Sequence, residues 1–242
     1  MVKKASKSDY ILALSLLGML SVLVTIISDF ILIGKPSTAY TFLKLGTESM
    51  WDIEPWKITA GAFVGVVALP FQVLGLIPVY FALKPSGKVL PVMAVIANAH
   101  MIMMGVAFHI SYAYIGTGWI IYHKNELTNQ ITTEIVNKFA SYWMILAVIM
   151  FVELLFGSII YVIVVLKGKT LFPRWMAIFN PICIVLYTFP FVFILPSPIG
   201  GYIAPAYLNL STLLFFIITL VVGYKKMKKI ENEKEMKGTV NV

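Results

Sequence analysis

Six predominantly apolar runs, at roughly 10–34, 57–83, 89–116, 139–166, 173–196 and 204–224, constrain this 242-residue chain more than any motif in it. A helix rising about 1.5 Å per residue needs about 20 such residues to cross the hydrocarbon core of a bilayer. The expected fold is therefore all-α, a polytopic membrane bundle of six transmembrane helices over residues 1–224, followed by a charged tail over 225–242. With 60% of residues apolar and 12% charged, the apolar positions fill long runs rather than alternating faces. Six spans leave no room for a separate soluble domain.

Lysine placement orients the spans. With the N-terminus on the cytoplasmic side, the inner segments hold Lys3, Lys4, Lys7, Lys84, Lys88, Lys167, Lys169, Arg174 and the tail lysines from Lys225 to Lys237. The outer segments hold only Lys35, Lys44, Lys57, Lys124 and Lys138, balanced by Glu48, Asp52, Glu54, Glu126 and Glu134. The positive-inside rule then predicts both termini in the cytoplasm. The net charge of +8 reads as a topology signal with attraction to anionic lipids through the Lys-rich tail. No basic residues are organised on a soluble surface, so nucleic acid is not an expected partner.

The first run, about 24 residues long and containing Asp29, is too long for a signal-peptide core. Cys183 is the single cysteine, which excludes intramolecular disulfides and a cysteine-rich metal motif. Outer segment 35–56 carries Tyr40, Phe42, Leu43, Leu45, Met50 and Trp51, and is expected to lie along the headgroups. Trp51, Trp56, Trp119 and Trp143 fall near the outer interface and Trp175 near the inner one, an aromatic-belt pattern.

Glu153 stands out, because a carboxylate near the centre of the 139–166 run costs roughly 2.5–3.5 kcal/mol if it faces lipid unpaired. Helical phase sorts the other interior polar groups. At about 100° per residue, Asn98, Gly105, His109, Tyr112 and Gly116 share a face of span three. Ser15, Gly18, Thr25 and Asp29 form the matching stripe of span one, and Gly61, Gly65, Ala68 and Gln72 that of span two. In span four the expected inward face is Tyr142, Leu146, Ile149, Glu153, Gly157 and Ile160. Small residues on such faces allow close approach and polar ones bond across it.

Asp29 and His109 are expected in the outer half of the membrane, Glu153 near its middle, and Asn98, His100 and Asn180 in the inner half. Asp29, His109 and Glu153 could thus meet as one acid–base constellation, with histidine, whose charge ordinarily changes between about pH 5 and 8, as proton exchanger. His100 and His109 lie on opposite faces of one helix and cannot share an ion. His100, Met103 and Met104 do share a face, but methionine is common in apolar helices, and no metal or cofactor is expected. Every lysine is at a helix end or in a loop, which excludes a retinal Schiff base.

Spans two and five are both interrupted, by Pro70, Gly75 and Pro78 and by Pro181, Pro190 and Pro196. Broken helices at corresponding places in inverted halves are a pointer to transporter sites, although kinking is the simpler reading of Asn180-Pro181.

Gly61 and Gly65, then Leu69-Pro70, Gly75, Val79-Tyr80 and Leu83-Lys84-Pro85-Ser86-Gly87-Lys88, followed by Gly105 and His109, form a pattern that resembles uncharacterised six-helix bacterial membrane proteins classed as domains of unknown function. The resemblance implies the six-span fold and a bacterial cytoplasmic membrane, and brings no activity with it.

The functional expectation is permeation of a small molecule or ion, proton-coupled through Glu153 and His109, with Asp29 and Gln72 lining the path. A structural, sensory or accessory membrane subunit working through a protein partner stands beside it. An intramembrane enzyme acting on a lipid or isoprenoid by acid–base chemistry comes third, since no nucleophile motif, metal cluster or phosphate loop accompanies these groups.

Overall fold

In the computed structural model, which describes residues 6–36, 38, 50–124 and 129–239, the regular elements are all helical. They run α1 (Lys7–Ile33), α2 (Pro55–Ala68), a 3-10 stretch (Leu69–Leu76), α3 (Ile77–Leu83), α4 (Val89–Lys124), α5 (Asn129–Leu166), a second 3-10 stretch (Arg174–Phe179), α6 (Pro181–Ile194), α7 (Ile199–Ile203) and α8 (Tyr207–Thr239). Among the described residues, five helical segments are long and apolar enough to cross a membrane: Lys7–Ile33, Pro55–Ser86, Val89–Lys124, Gln130–Leu166 and Ile199–Glu233. Their outward faces carry Leu20, Ile27, Val67, Phe71, Ile96, Val152 and Val221 in the open, which a water-facing surface would not tolerate in such continuity.

The expected fifth run, 173–196, departs from a continuous span. Pro181 starts a new helix after Asn180, whose backbone is extended, so the run divides into a 3-10 stretch and a 14-residue helix. The second run is continuous in direction but changes winding. Pro70 and Pro78 have no N–H to give to the carbonyls four residues back, and between them the ladder tightens to 3-10 over Leu69–Leu76. That tightened stretch crosses α1 where Gly18 meets Gly75; a Cβ on Gly18 would collide with the Gly75 backbone.

α1 packs on α2, on the first 3-10 stretch and on α8, while α4 and α5 form a long antiparallel hairpin whose α4 side leans on α2. The ends of the bundle are well defined. At one end Ser6 and Asp9 form a capping box on α1, Lys7 N and Ser8 Oγ donate to Glu231 of α8, and Leu171 N donates to Ala82 O at 2.8 Å. At the other end the Lys35 ammonium lies 5.8 Å from the Tyr202 ring centre, and Trp51 packs on His123 at 4.8 Å.

Two apolar clusters divide the interior by height. One gathers Val22, Leu76, Val79, Leu83, Ile102, Tyr161, Val164, Phe172 and Phe216; the other gathers Leu32, Ile33, Met50, Ile58, Tyr112, Ile120 and Ala204. Met50 is fully buried there, filling the space left by Gly116, rather than lying along headgroups. Tyr40, Phe42, Leu43 and Leu45 of the same expected surface segment lie outside the described residues. Along α1, α2 and its 3-10 continuation, α4 and α8, the chain passes from one cluster to the other at Asp29, Gln72, His109 and Asn209. A polar layer is thereby sandwiched between two apolar ones.

Candidate functional site

The inward stripes of the first three runs are all buried: Ser15, Gly18, Thr25 and Asp29 on α1; Gly61, Gly65, Ala68 and Gln72; and Asn98, Gly105, His109, Tyr112 and Gly116 on α4. On α5 the expected face is rotated. Gly157 and Ile160 of that face are buried, but Tyr142 and Ile149 are exposed and Leu146 and Glu153 only half-buried, while Ala147, Leu154, Ser158, Tyr161 and Val164 turn inward instead. α5 packs mainly against one neighbour, α4, so its buried stripe is set by that hairpin contact and leaves Glu153 at the edge.

Asp29 and His109 come together at the polar layer. His109 Nδ1 lies 3.3 Å from Asp29 Oδ1, with both side chains buried. The other carboxylate oxygen, Asp29 Oδ2, accepts from Asn209 Nδ2 at 2.7 Å. His109 Nε2 sits 3.2 Å from the Gly61 carbonyl and 3.1 Å from Ser28 Oγ, whose own proton goes to that carbonyl. Neither α2 glycine could be larger. A Cβ at Gly65 would overlap the imidazole, and one at Gly61 would lie 2.6 Å from Leu32 N.

With Ser28 Oγ donating to Gly61 O, one tautomer of His109 follows. A carbonyl oxygen only accepts, so the Nε2 atom facing Gly61 carries hydrogen. The Nδ1 contact with Asp29 then also holds a proton, either on the imidazole as an imidazolium–carboxylate pair or on Asp29 as a neutral acid–imidazole pair. Both forms have zero net charge, which is what a site without bulk water tolerates.

The network continues to Gln72. Its Nε2 donates to Asn209 Oδ1 at 3.1 Å and to Thr25 Oγ1 at 3.1 Å, and Thr25 Oγ1 passes its proton to Ser21 O at 2.9 Å. Donation therefore runs in one direction, from Gln72 to Asn209 to Asp29. The 3-10 winding of residues 69–76 is what carries Gln72 to this position, one turn above the Gly18–Gly75 crossing. A cavity of about 100 Å³ adjoins the network, lined by Asp29, Gln72, His109 and Asn209 and by apolar and aromatic side chains including Met101, Phe108, Tyr112, Leu154 and Tyr207.

Glu153 is elsewhere. Its Oε1 lies 2.7 Å from His100 Nδ1, and Oε2 is buried with no hydrogen-bond partner among the described residues. Asp29 and His109 thus meet each other, while Glu153 takes the histidine on the opposite face of α4. The single three-residue constellation divides into two acid–imidazole pairs. Asn98 donates to Ala94 O at 2.8 Å and packs against Gly157, joining α4 to α5. Asn180 caps α6, accepting from Cys183 N at 3.1 Å and donating to Ala177 O at 2.8 Å.

Asn209 and Ser28 were not legible as site residues from phase alone. Asn209 is the one amide in the apolar part of the last run, which could have marked it. Ser28 precedes Asp29 and differs from other helix serines only through its tertiary neighbours.

The chain matches, over residues 1–226, the model of a family described as a family of unknown function (DUF6796). No curated protein and no solved structure matches it.

Proposed function

We propose that this chain, which belongs to the DUF6796 family of unknown function, is a six-span membrane protein that moves a small solute or ion by exchange against the proton held between Asp29 and His109. The observation that carries the reading is a proton-holding pair, fixed by four elements, on the wall of a cavity of about 100 Å³. That volume has room for several waters or one small solute, such as a monovalent cation. A cation entering beside Asp29 would compensate the carboxylate and release the proton through His109, and its departure would restore it.

Six crossings are supported by the two ends of the bundle. Leu171 is bonded to Ala82 at the end that holds Ser8 and Glu231, whereas Tyr202 is at the end that holds Lys35. The chain between them therefore traverses the bundle height. A 14-residue helix supplies about 21 Å and the 3-10 stretch before it about 12 Å, together enough for a core of about 30 Å. The Ser8–Glu231 contact holds both ends of the described chain on one side, and lysine placement makes that side the cytoplasm, where the tail meets anionic lipids.

A second reading has its own support. The polar groups of the Asp29 layer are bonded to one another, as they would be in a structural or accessory membrane subunit. The discriminating experiment is reconstitution in vesicles with an internal pH dye, followed by a panel of monovalent cations and small amines across a pH gradient. Permeation predicts solute-dependent proton flux that is abolished by Asp29→Asn and by His109→Ala and retained by Glu54→Gln at an exposed loop. If the native protein carries no flux with any solute of the panel, and the two core variants lower only stability, the subunit reading stands.

A further inference from the structure

His100 and Glu153 form a pair that the fold leaves at its surface. The His100 side chain is 62% exposed and that of Glu153 22%. Counting from Val89 and Leu166, which begin and end the hairpin at the same side, the two residues lie about 17 Å and about 20 Å along their helices. On the six-span reading, on which this inference rests, that is near the middle of a core about 30 Å thick. Ile96 and Met103 of α4 and Val152 and Phe156 of α5 are exposed along the same strip. Lipid can cover those four side chains, but it offers an imidazole no hydrogen bond. His100 Nε2 has none among the described residues.

We infer that this strip is the interface of a homodimer in the membrane, in which each His100 Nε2 donates to the partner subunit's Glu153. Two copies inserted in the same orientation are related by a two-fold axis along the bilayer normal, and such an axis leaves every atom at its own depth. A patch is self-complementary across it only if donor and acceptor are level. His100 and Glu153 are level, since they touch at 2.7 Å across the hairpin. Each imidazolium then gives Nδ1–H to its own carboxylate and Nε2–H to the other, and each Glu153 Oε1, with two lone pairs, accepts both. The four groups close a ring with no net charge, flanked by apolar side chains from both copies. A different protein seated here would have to bring its own carboxylate or carbonyl to the same depth, whereas a second copy brings one by symmetry.

The test uses the full chain with Cys183→Ser in phosphatidylcholine vesicles, after confirming that alkaline carbonate does not extract it. Val152→Cys is expected to cross-link between copies under mild oxidation, and Leu186→Cys, exposed on α6, is not. Photobleaching steps counted over falling protein-to-lipid ratios are expected to show dimers, weakened about tenfold by His100→Leu or Glu153→Gln. The exchange His100→Glu with Glu153→His keeps both partners level and is expected to restore association. Single-step bleaching at every ratio overturns the inference, as does dimerisation indifferent to both single substitutions. Extraction by carbonate would defeat the membrane-spanning reading itself, a failure distinct from a monomer that stays in the bilayer.

Discussion

Asn209, on the last long helix, donates its amide hydrogen to Asp29 on the first at 2.7 Å, and so ties the two ends of the fold together through the carboxylate of the candidate site. The same amide accepts from Gln72, which gives Asn209 a fixed orientation and Asp29 a partner besides His109.

Asn209→Ala removes both bonds and leaves Gln72 and Asp29 each short of one in a buried layer. The expected loss is about 1–3 kcal/mol of stability, since an unmet buried polar group bears its full desolvation penalty. Unfolding in mixed micelles at rising detergent denaturant checks it. Asn209→Asp is expected to be worse, because it sets a second carboxyl against Asp29.

Gly65 and Gly105 both face the interior near His109, but they predict opposite outcomes for alanine. At Gly65 the methyl overlaps the imidazole, so Gly65→Ala is expected to cost about 1–3 kcal/mol and to displace His109 from Gly61 O. At Gly105 the nearest atom is Leu69 Cδ2 at 3.9 Å, and the helix gains from alanine, so Gly105→Ala is expected to be neutral or stabilising by up to about 1 kcal/mol. Imidazole nitrogen chemical shifts in the two variants separate the cases.

Gly18→Ala meets backbone rather than a side chain that could rotate away. It is expected to pry α1 from residues 69–76 and so to break the Thr25–Gln72 bond, which lies above the crossing. Faster hydrogen exchange at residues 69–76 than in the native protein is the readout; unchanged exchange there would show that the crossing does not hold Gln72 in place.

Asn180→Ala removes an N-cap rather than a site group. About 1 kcal/mol of stability should be lost, as for other helix caps, with no change in any solute-dependent flux. A loss of flux at full stability would give Asn180 a role in permeation beyond capping.

Much of this was legible in the residue order. Helical periodicity alone selects Asp29, Gln72, His109 and Asn98 as inward-facing, because a stripe of polar and small groups in an apolar helix has nowhere else to go. The pairing of His100 with Glu153 also leaves a trace. The two lie the same number of residues from the loop-side ends of their helices, Lys124 and Asn129, and an antiparallel hairpin puts such residues level. Periodicity orients each helix separately and says nothing about which face meets which neighbour, so it does not choose between His100 and His109 as the partner of Glu153.

What the sequence determined by itself is therefore the set of long apolar helices, the inward stripes of three of them, and the presence of buried acid and imidazole that must be paired. These follow from local rules, the helix repeat and the cost of exposing polar groups to an apolar surround. Tertiary structure alone decided the partners. It carried Gln72 to Asn209, set His109 against Asp29, and rotated α5 so that Glu153 fell at the edge beside His100. Each of these depends on which helices are adjacent and on how closely glycines let them approach, and that is a property of the packed bundle rather than of any one segment.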